Sequence, residues 1–304
     1  MVIRLLKPFV PTGLRQRLNP WRNPARQLRL MRYNWLYRGG VVRREGFSFH
    51  LHRRDEVSRQ VFVNGHFASD ELTMLKLAAP KFRSLIDIGA NIGAVSVPWA
   101  SQSALPALAI EPVRDNWNLL CENLRLNGLE KRVAVQRVAL GEKSGQVEMF
   151  LSEENRGDHR AGSYTGDDRK REVVELCTLG ESISRVPGIE PPFLIKMDVQ
   201  GFEGFVLKGA AELLRSNQCL ILMEFWPEGL AANGFLPRDF FGLLQQLGLA
   251  AYEVQRPLRL KPIRDAEAIA ELAMQLSGEE NCNLVVTNLP LERTGLGSLD
   301  TPAG

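Results

Sequence analysis

Ser84-Leu85-Ile86-Asp87-Ile88-Gly89-Ala90-Asn91-Ile92-Gly93, running on to Val97-Pro98-Trp99-Ala100, is the stretch around which the chain is organised. Leu85, Ile86 and Ile88 make a short apolar run bearing one carboxylate, and such runs bounded by glycine read as strands buried in a parallel sheet. Gly89 and Gly93 follow, and a helix is expected from about Asn91 or Ile92 to Ser101, kinked or strained at Pro98. Strand, glycine turn and helix is how a doubly wound α/β sheet opens a ligand site beyond the carboxyl ends of its strands.

The glycine spacing narrows the ligand. A dinucleotide fingerprint, Gly-x-Gly-x-x-Gly, uses its middle glycine to let a pyrophosphate approach the backbone. Ala90 and Asn91 lie between the glycines here, so the turn has no dedicated phosphate seat, which counts against NAD. Asp87 adds negative charge that suits a cationic ligand, and S-adenosylmethionine (SAM), with its sulfonium and ammonium groups, fits. An ordinary strand-to-helix turn built from small residues is the alternative. Leu105 to Ile110 reads as the next strand, closed by Glu111-Pro112, and Glu111 comes 24 residues after Asp87. That is about the strand–helix–strand distance at which an acid meets ribose hydroxyls, and a carboxylate accepts from both hydroxyls of a vicinal diol. Capping the next helix is the other role open to it.

Composition gives a globular protein with a sizeable core: 304 residues, 44% hydrophobic and 24% charged. The net charge of +3 is unevenly spread, because residues 1–60 hold 14 Lys/Arg against 3 Asp/Glu. A basic arm on a mildly acidic body suggests peripheral contact with an acidic membrane surface, a solvated tether being the plainer reading. Trp21 and Trp35 lie among the arginines, yet no nucleic-acid module accompanies them, so no nucleic-acid partner is expected. Cys121, Cys177, Cys219 and Cys282 are scattered without short pairing, which predicts free thiols in a reducing, cytoplasmic setting. No run approaches the roughly 18 apolar residues of a spanning helix, and Arg4, Lys7, Pro8 and Pro11 interrupt any signal-peptide core.

Along the chain, Phe47, Phe49 and Leu51 alternate with polar residues as a strand does, putting His50 and His52 on one face without a third metal ligand nearby. Val61 to Val63 suggests a second strand, and Asp70 to Ala79 a helix ending before Pro80. Asp115 to Asn127 reads as a helix stopped by Asn127-Gly128. Val133, Val135 and Val138 form the third strand of the unit, with Val138, Ala139 and Leu140 as the adenine wall or ordinary core. Residues 146–151 and 172–178 flank a polar loop, Glu154 to Ser163, in which His159 is either a proton-transfer group or a solvated loop histidine. Phe193 to Met197 is a buried strand that delivers Asp198, with Gln200, Gly201 and Glu203 behind it. Cys219 to Glu224 is the next, closed by Phe225-Trp226-Pro227, whose aromatics suit an acceptor pocket. Pro237 to Leu247 reads as a helix, Ala251 to Val254 and Asn283 to Thr287 as a closing strand pair around a helical insert, Asp265 to Leu276, and 289–304 as a disordered tail.

Asp87-Ile88-Gly89-Ala90-Asn91-Ile92-Gly93, then Glu111-Pro112, then Ile195-Lys196-Met197-Asp198-Val199-Gln200-Gly201-Phe202-Glu203 with the trailing Leu207-Lys208-Gly209-Ala210 together resemble the FkbM family of SAM-dependent methyltransferases. The Asn155-Arg156-Gly157-Asp158-His159-Arg160 loop is similar to that family's middle segment. The resemblance covers about residues 80–288, leaving 1–79 as a basic arm with a small strand and helix cap. It implies a class I fold: a doubly wound, mostly parallel seven-stranded sheet with one antiparallel strand. It also implies methyl transfer to a hydroxyl on a sugar, glycan or polyketide-like small molecule. Asp87, Gly89, Asn91 and Gly93, with Ala90 between them, match the motif that holds the methionine side of the cofactor. Glu111, followed by Pro112, matches the ribose ligand. Asp198, Glu203 and the 155–160 loop match positions facing the transfer region, and Asp198 and His159 are the candidate general bases. The family's usual glutamate after Asp-Val is Gln200 here, which keeps hydrogen bonding and removes a charge. A non-catalytic SAM- or nucleotide-binding module and an NAD-dependent sugar-modifying enzyme are the competing functions.

Overall fold

The computed structural model describes residues 24–53, 55–152, 155–162, 169–276, 278 and 280–299. Most of the basic arm, Glu154, Ser163 and residues 300–304 of the expected tail lie outside them.

The N-terminal segment forms α1 (Pro24–Leu36), the hairpin β1 (Gly40–Arg44) and β2 (Phe47–Leu51), then α2 (Glu56–Asn64) and α3 (Ser69–Ala78). Val61 to Val63, expected as strand, is helical. Asp55 caps α2 by accepting the Ser58 N–H at 2.8 Å, Gly65 ends it in a left-handed conformation, and Val57, Ser58, Val61 and Phe62 supply a buried helical face. These signals outweigh the β preference of a three-residue apolar run. The hairpin is tied to the rest of the protein by two asparagines. Asn123 and Asn127 receive the His50 and Ser48 N–H groups on their side-chain oxygens and return donors to the same residues' carbonyls. His50 bonds Glu122 at 2.8 Å, which accounts for it without a metal.

The central sheet follows: β3 (Ser84–Ile88), α4 (Ser96–Gln102), β4 (Ala107–Ile110), α5 (Arg114–Leu126) and β5 (Val133–Gln136). Next come β6 (Ala139–Leu140), β7 (Gly145–Leu151), β8 (Arg160–Ala161) and β9 (Lys170–Cys177), then β10 (Phe193–Met197) and β11 (Cys219–Phe225). The last strands are β12 (Ala250–Gln255), β13 (Arg259–Ile263) and β14 (Cys282–Thr287). Eight of these form one sheet in the order β13-β12-β14-β11-β10-β3-β4-β5. From β11 to β5 neighbouring strands are parallel, while β14 runs antiparallel to both β11 and β12. The seven strands without β13 have the expected class I arrangement, and β13 is an eighth strand added as a hairpin on β12. A second sheet, β6-β9-β7-β8, stands beside it and carries the 152–160 loop. Val138 therefore belongs to no main-sheet strand: β5 stops at Gln136 and the chain crosses to the second sheet.

Alternation along the parallel strands divides the core. Leu85, Ala107, Ala109, Leu194, Leu220 and Leu222 pack with the N-terminal segment, α4 and α5. Ile86, Ile88, Leu108, Ile110, Ile195 and Met197 pack with helices 203–209, 211–216 and 237–246 on the other face. Strands buried on both sides read as continuous apolar runs, which is why β3, β4, β10 and β11 were legible. Asp87 and Lys196 share the first face, because the β3–β10 register sets them opposite each other. Pro98 does not kink α4. The helix starts at Ser96, so Pro98 sits in its first turn, where no intrahelical N–H is lost. The tail expected to be disordered is packed over 289–299: Leu289, Leu291 and Leu296 are buried, and a Cβ on Gly295 would fall 2.5 Å from the Leu77 carbonyl oxygen of α3.

Candidate functional site

The carboxyl ends of β3, β4 and β10 meet at one turn. Gly89 and Ala90 both donate N–H groups to the Ile110 carbonyl at 3.0 Å, and Asp198 donates to the Ile88 carbonyl at 3.0 Å. The β10 end passes so close that a Cβ on Gly89 would lie 1.9 Å from the Asp198 carbonyl oxygen, and Gly89 has φ +79. Only glycine meets both conditions. Asn91 is also left-handed, at φ 51, a conformation asparagine tolerates by bonding locally; its Oδ1 accepts the Ile92 N–H at 2.7 Å.

Above this turn lies a cavity of about 260 Å³. Among the residues expected at a site, Gly89, Ala90, Asn91, Glu111, Pro112, Ala139, Leu140, His159 and Asp198 line it. Three do not. Asp87 lies beneath the turn, fully buried, accepting a hydrogen bond from Ser96 and standing 3.9 Å from the Lys196 ammonium. It braces the floor rather than touching what the cavity holds. Gly93, at φ +83, packs against Leu120. Glu203 is buried behind the 198–203 turn, where it accepts the Val199 N–H at 3.1 Å.

Glu111 is the best-defined group in the lining. Its two oxygens accept the N–H groups of Asn91 at 2.9 Å and Val113 at 3.0 Å, so one carboxylate ties the β3 turn to the start of α5. Burial raises its carboxyl to about 7 against those two hydrogen bonds, which favour the charged form. Beside it, Asn116 holds the Arg156 carbonyl at 3.1 Å through Nδ2, while its Oδ1 is buried without a partner. Asn91 Nδ2 reaches the same carbonyl, and Arg156 in turn donates its N–H to Asp55 at 2.9 Å. The 155–160 loop is thereby clamped over the cavity between α2 and α5.

At the far end stands Lys196, buried, with Asp198 at 3.3 Å and the Gly89 carbonyl at 3.4 Å. Burial alone would lower its pKa; the carboxylates of Asp198, Asp87 and Glu71 outweigh that and hold it above the ordinary lysine value. Gln200 donates its amide to Asp198 at 2.7 Å and to Glu224 at 2.8 Å. His159 accepts the Ser152 N–H on Nδ1 at 3.0 Å, and burial, then Arg156, push its pKa down to about 4. A neutral imidazole accepting on Nδ1 carries its hydrogen on Nε2. His159 therefore presents a donor, and the expected general-base role does not fit it.

Residues 87–249 match the methyltransferase FkbM domain model. The chain belongs to the FkbM methyltransferase family. Among solved structures, it is similar to the methyltransferase FkbM of Methylobacillus flagellatus, at 16% identity and a TM-score of 0.41, over 68% of this chain and 44% of that one. It therefore spans less than half the length of that protein. Also similar are the O-methyltransferase of Bacillus cereus in complex with SAH (12%, TM-score 0.38, covering 72% and 79%) and Pyrococcus horikoshii TYW2 in complex with MeSAdo (16%, 0.38, 83% and 72%). No curated protein matches the chain.

In this member of the family several lining residues are not evident from the sequence. Asn116 has a signal: a polar residue on the α5 face that also buries Leu119, Leu120 and Asn123. Val57 and Gln60 of α2 have none, because the apolar run beside them reads as strand. Among the described residues no group of three or more His, Cys, Asp and Glu is arranged to hold a metal ion, and no helix is long and apolar enough to cross a membrane.

Proposed function

We propose that this chain transfers the methyl group of SAM to a hydroxyl oxygen of a small polyhydroxylated acceptor, such as a sugar or glycan. The observation that carries the cofactor reading is Glu111: a buried carboxylate in the cavity wall, fixed by two backbone N–H groups, with a spare lone pair on each oxygen. That is the chemistry a ribose diol needs. The orphaned Asn116 Oδ1 supplies a further buried acceptor that a bound nucleoside would satisfy. Ala139 and Leu140 offer an apolar wall for a base. Gly89, Ala90 and Asn91 line the cavity floor, and the amino-acid end would lie along them. The acids around Lys196 make that end suited to a sulfonium and an ammonium group, and the missing middle glycine counts against a dinucleotide.

SAM supplies an activated methyl group, and its transfer is an in-line displacement by the acceptor oxygen. The protein's work is to hold that oxygen behind the methyl carbon, exclude water and take away one proton. The His159 Nε2, buried without a partner, carries the hydrogen that would orient an oxygen by donating to it. Calorimetry with SAM, S-adenosylhomocysteine and NAD tests the reading. Micromolar binding of the first two, and none of the third, is expected; binding of NAD alone would defeat it.

A further inference from the structure

Beyond the cofactor cavity lies a second one of about 410 Å³. It shares Gln60, Phe67, Lys196, Asp198, Glu224 and Asn281 with the first, so these residues are the wall between them. The rest of its lining is largely polar: Asn64, His66, Asp70, Glu71, Arg256 and Asn283. Arg256 and Asp70 pair at 3.2 Å across its exposed side. Amides, carboxylates and one guanidinium facing a chamber of this size suit a ligand dense in hydroxyl groups.

Of the acids at the shared wall, Glu224 is distinguished by its partners. Asp198 is ion-paired with Lys196 at 3.3 Å. Glu224 has amides instead: Gln200 donates to Oε2 at 2.8 Å and Asn281 to Oε1 at 2.6 Å, which fixes the group and leaves a lone pair on each oxygen. Burial, together with the like charges of Asp198, Glu203 and Glu71, raises its pKa well above the ordinary value against the opposing charge of Lys196. Gln200 is what permits this. A glutamate there would set a third carboxylate within 2.7–2.8 Å of two others, whereas the amide lets Asp198 and Glu224 stand side by side.

We propose that Glu224 is the catalytic base, and that the second chamber binds the acceptor with its reacting hydroxyl at Glu224. The inference rests on the methyltransferase reading. As the acceptor oxygen forms its bond to the methyl carbon, the carbon–sulfur bond breaks and sulfur keeps the electron pair. The hydroxyl proton passes to a Glu224 oxygen and then to water.

The test separates the two readings. Affinities for SAM and S-adenosylhomocysteine are measured by calorimetry at pH 8 for the full chain and for Glu224→Gln. A base within one hydroxyl of the methyl group lies close enough to the sulfonium for its charge to favour SAM, by about fivefold or more. In Glu224→Gln that preference should vanish while S-adenosylhomocysteine still binds. Loss of binding by both ligands in the unmodified chain would overturn the methyltransferase reading. An unchanged preference in Glu224→Gln would overturn this inference alone.

A separate surface carries a second inference. Leu28, Met31, Trp35 and Leu36 of α1 are 59%, 59%, 76% and 70% exposed, and Val41 of the adjoining strand is 54% exposed. Positions 28, 31 and 35 fall on one helical face, while Tyr33 on the other is buried against Phe62 of α2. Exposed arginines, Arg32, Arg38 and Arg43, surround the stripe. We infer that this face docks on an anionic lipid surface: apolar side chains with a tryptophan enter the interface and arginines meet the headgroups. Co-sedimentation with phosphatidylglycerol vesicles, and not with phosphatidylcholine vesicles, is expected, weakened tenfold or more in Met31→Ser/Trp35→Ser with the melting temperature unchanged. Equal sedimentation of that variant, or a concentration-dependent dimer that the variant loses, would overturn it.

Discussion

Removing the Glu111 carboxylate should separate cofactor recognition from folding, because the two oxygens do both jobs. In Glu111→Gln one oxygen remains to accept from a backbone N–H, and the new amide points a donor at the other, leaving one buried N–H of Asn91 or Val113 unsatisfied. That costs about 1–3 kcal/mol of stability. Glu111→Ala orphans both N–H groups, for about twice that. The effect on binding is larger in consequence. Two hydroxyl donors to an ionised carboxylate contribute about 1.5–3 kcal/mol each, so losing them weakens binding by roughly 100-fold or more. The carboxyl of the free protein, raised to about 7, must be ionised to accept from a diol. Binding should therefore release a proton near pH 7, a release that Glu111→Gln abolishes. Titration calorimetry of S-adenosylhomocysteine in two buffers of different ionisation enthalpy reads affinity and proton count together, with urea unfolding as the stability control. Affinity within fivefold of the unmodified chain in a folded Glu111→Gln protein would refute the reasoning.

Lys196→Met should destabilise the protein by about 3–5 kcal/mol at pH 7.5, since it strands buried Asp87 beside Asp198 without a cation. The loss should shrink as pH falls, because burial raises the Asp87 carboxyl and its protonation removes the stranded charge; equal losses at pH 7.5 and 5 in urea titrations would contradict the buried-charge account. Burial raises Glu71 and Glu203 from 4.5 to about 7, as it does Glu111, so the folded ligand-free protein holds protons that the unfolded chain has released. Stability should thus fall as pH rises from about 4.5 to 7, and Glu203→Gln should reduce that slope by on the order of 1–3 kcal/mol over the range. Gly89→Ala places a Cβ 1.9 Å from the Asp198 carbonyl at a left-handed φ. It should lower the urea midpoint and weaken S-adenosylhomocysteine binding together, because the β3 turn and the β10 end must separate.

How much the sequence disclosed depends on the range of the interactions involved. The parallel strands were readable because residues such as Leu85, Ile86 and Ile88 are buried on both faces, so the pattern is local and needs no partner. Gly89 and Glu111 were readable for a similar reason: each answers a backbone demand made a few residues away or at a fixed strand–helix–strand distance. Val61 to Val63 misled because the deciding signals were the Asp55 cap and Gly65 stop, which lie outside the apolar run. Glu71 was silent, since nothing around it in sequence shows that α3 will bring it near Lys196. The roles at the site moved for the same cause. Asp87 looked like a ligand-gripping acid until the β3–β10 register set it against Lys196, and His159 looked like a base until the Ser152 N–H claimed its Nδ1.

The same contrast explains how a chain with Gln200 at the family's glutamate position keeps a coherent site. Asp198 and Glu224 come from neighbouring parallel strands, and the β10–β11 register brings their ends together whichever residue occupies position 200. Two carboxylates so placed need either a shared proton, a cation or a donor between them. Lys196 neutralises one, and the Gln200 amide bridges to the other at 2.8 Å. A charge lost from the motif is thus recovered as a hydrogen bond. Gln200→Glu should then reverse the arrangement: three carboxylates would crowd one lysine, and the protein should lose stability at pH 8 while changing little at pH 5. Urea midpoints at the two pH values read this directly, and a variant as stable as the parent at pH 8 would mean that Gln200 does not separate the two acids.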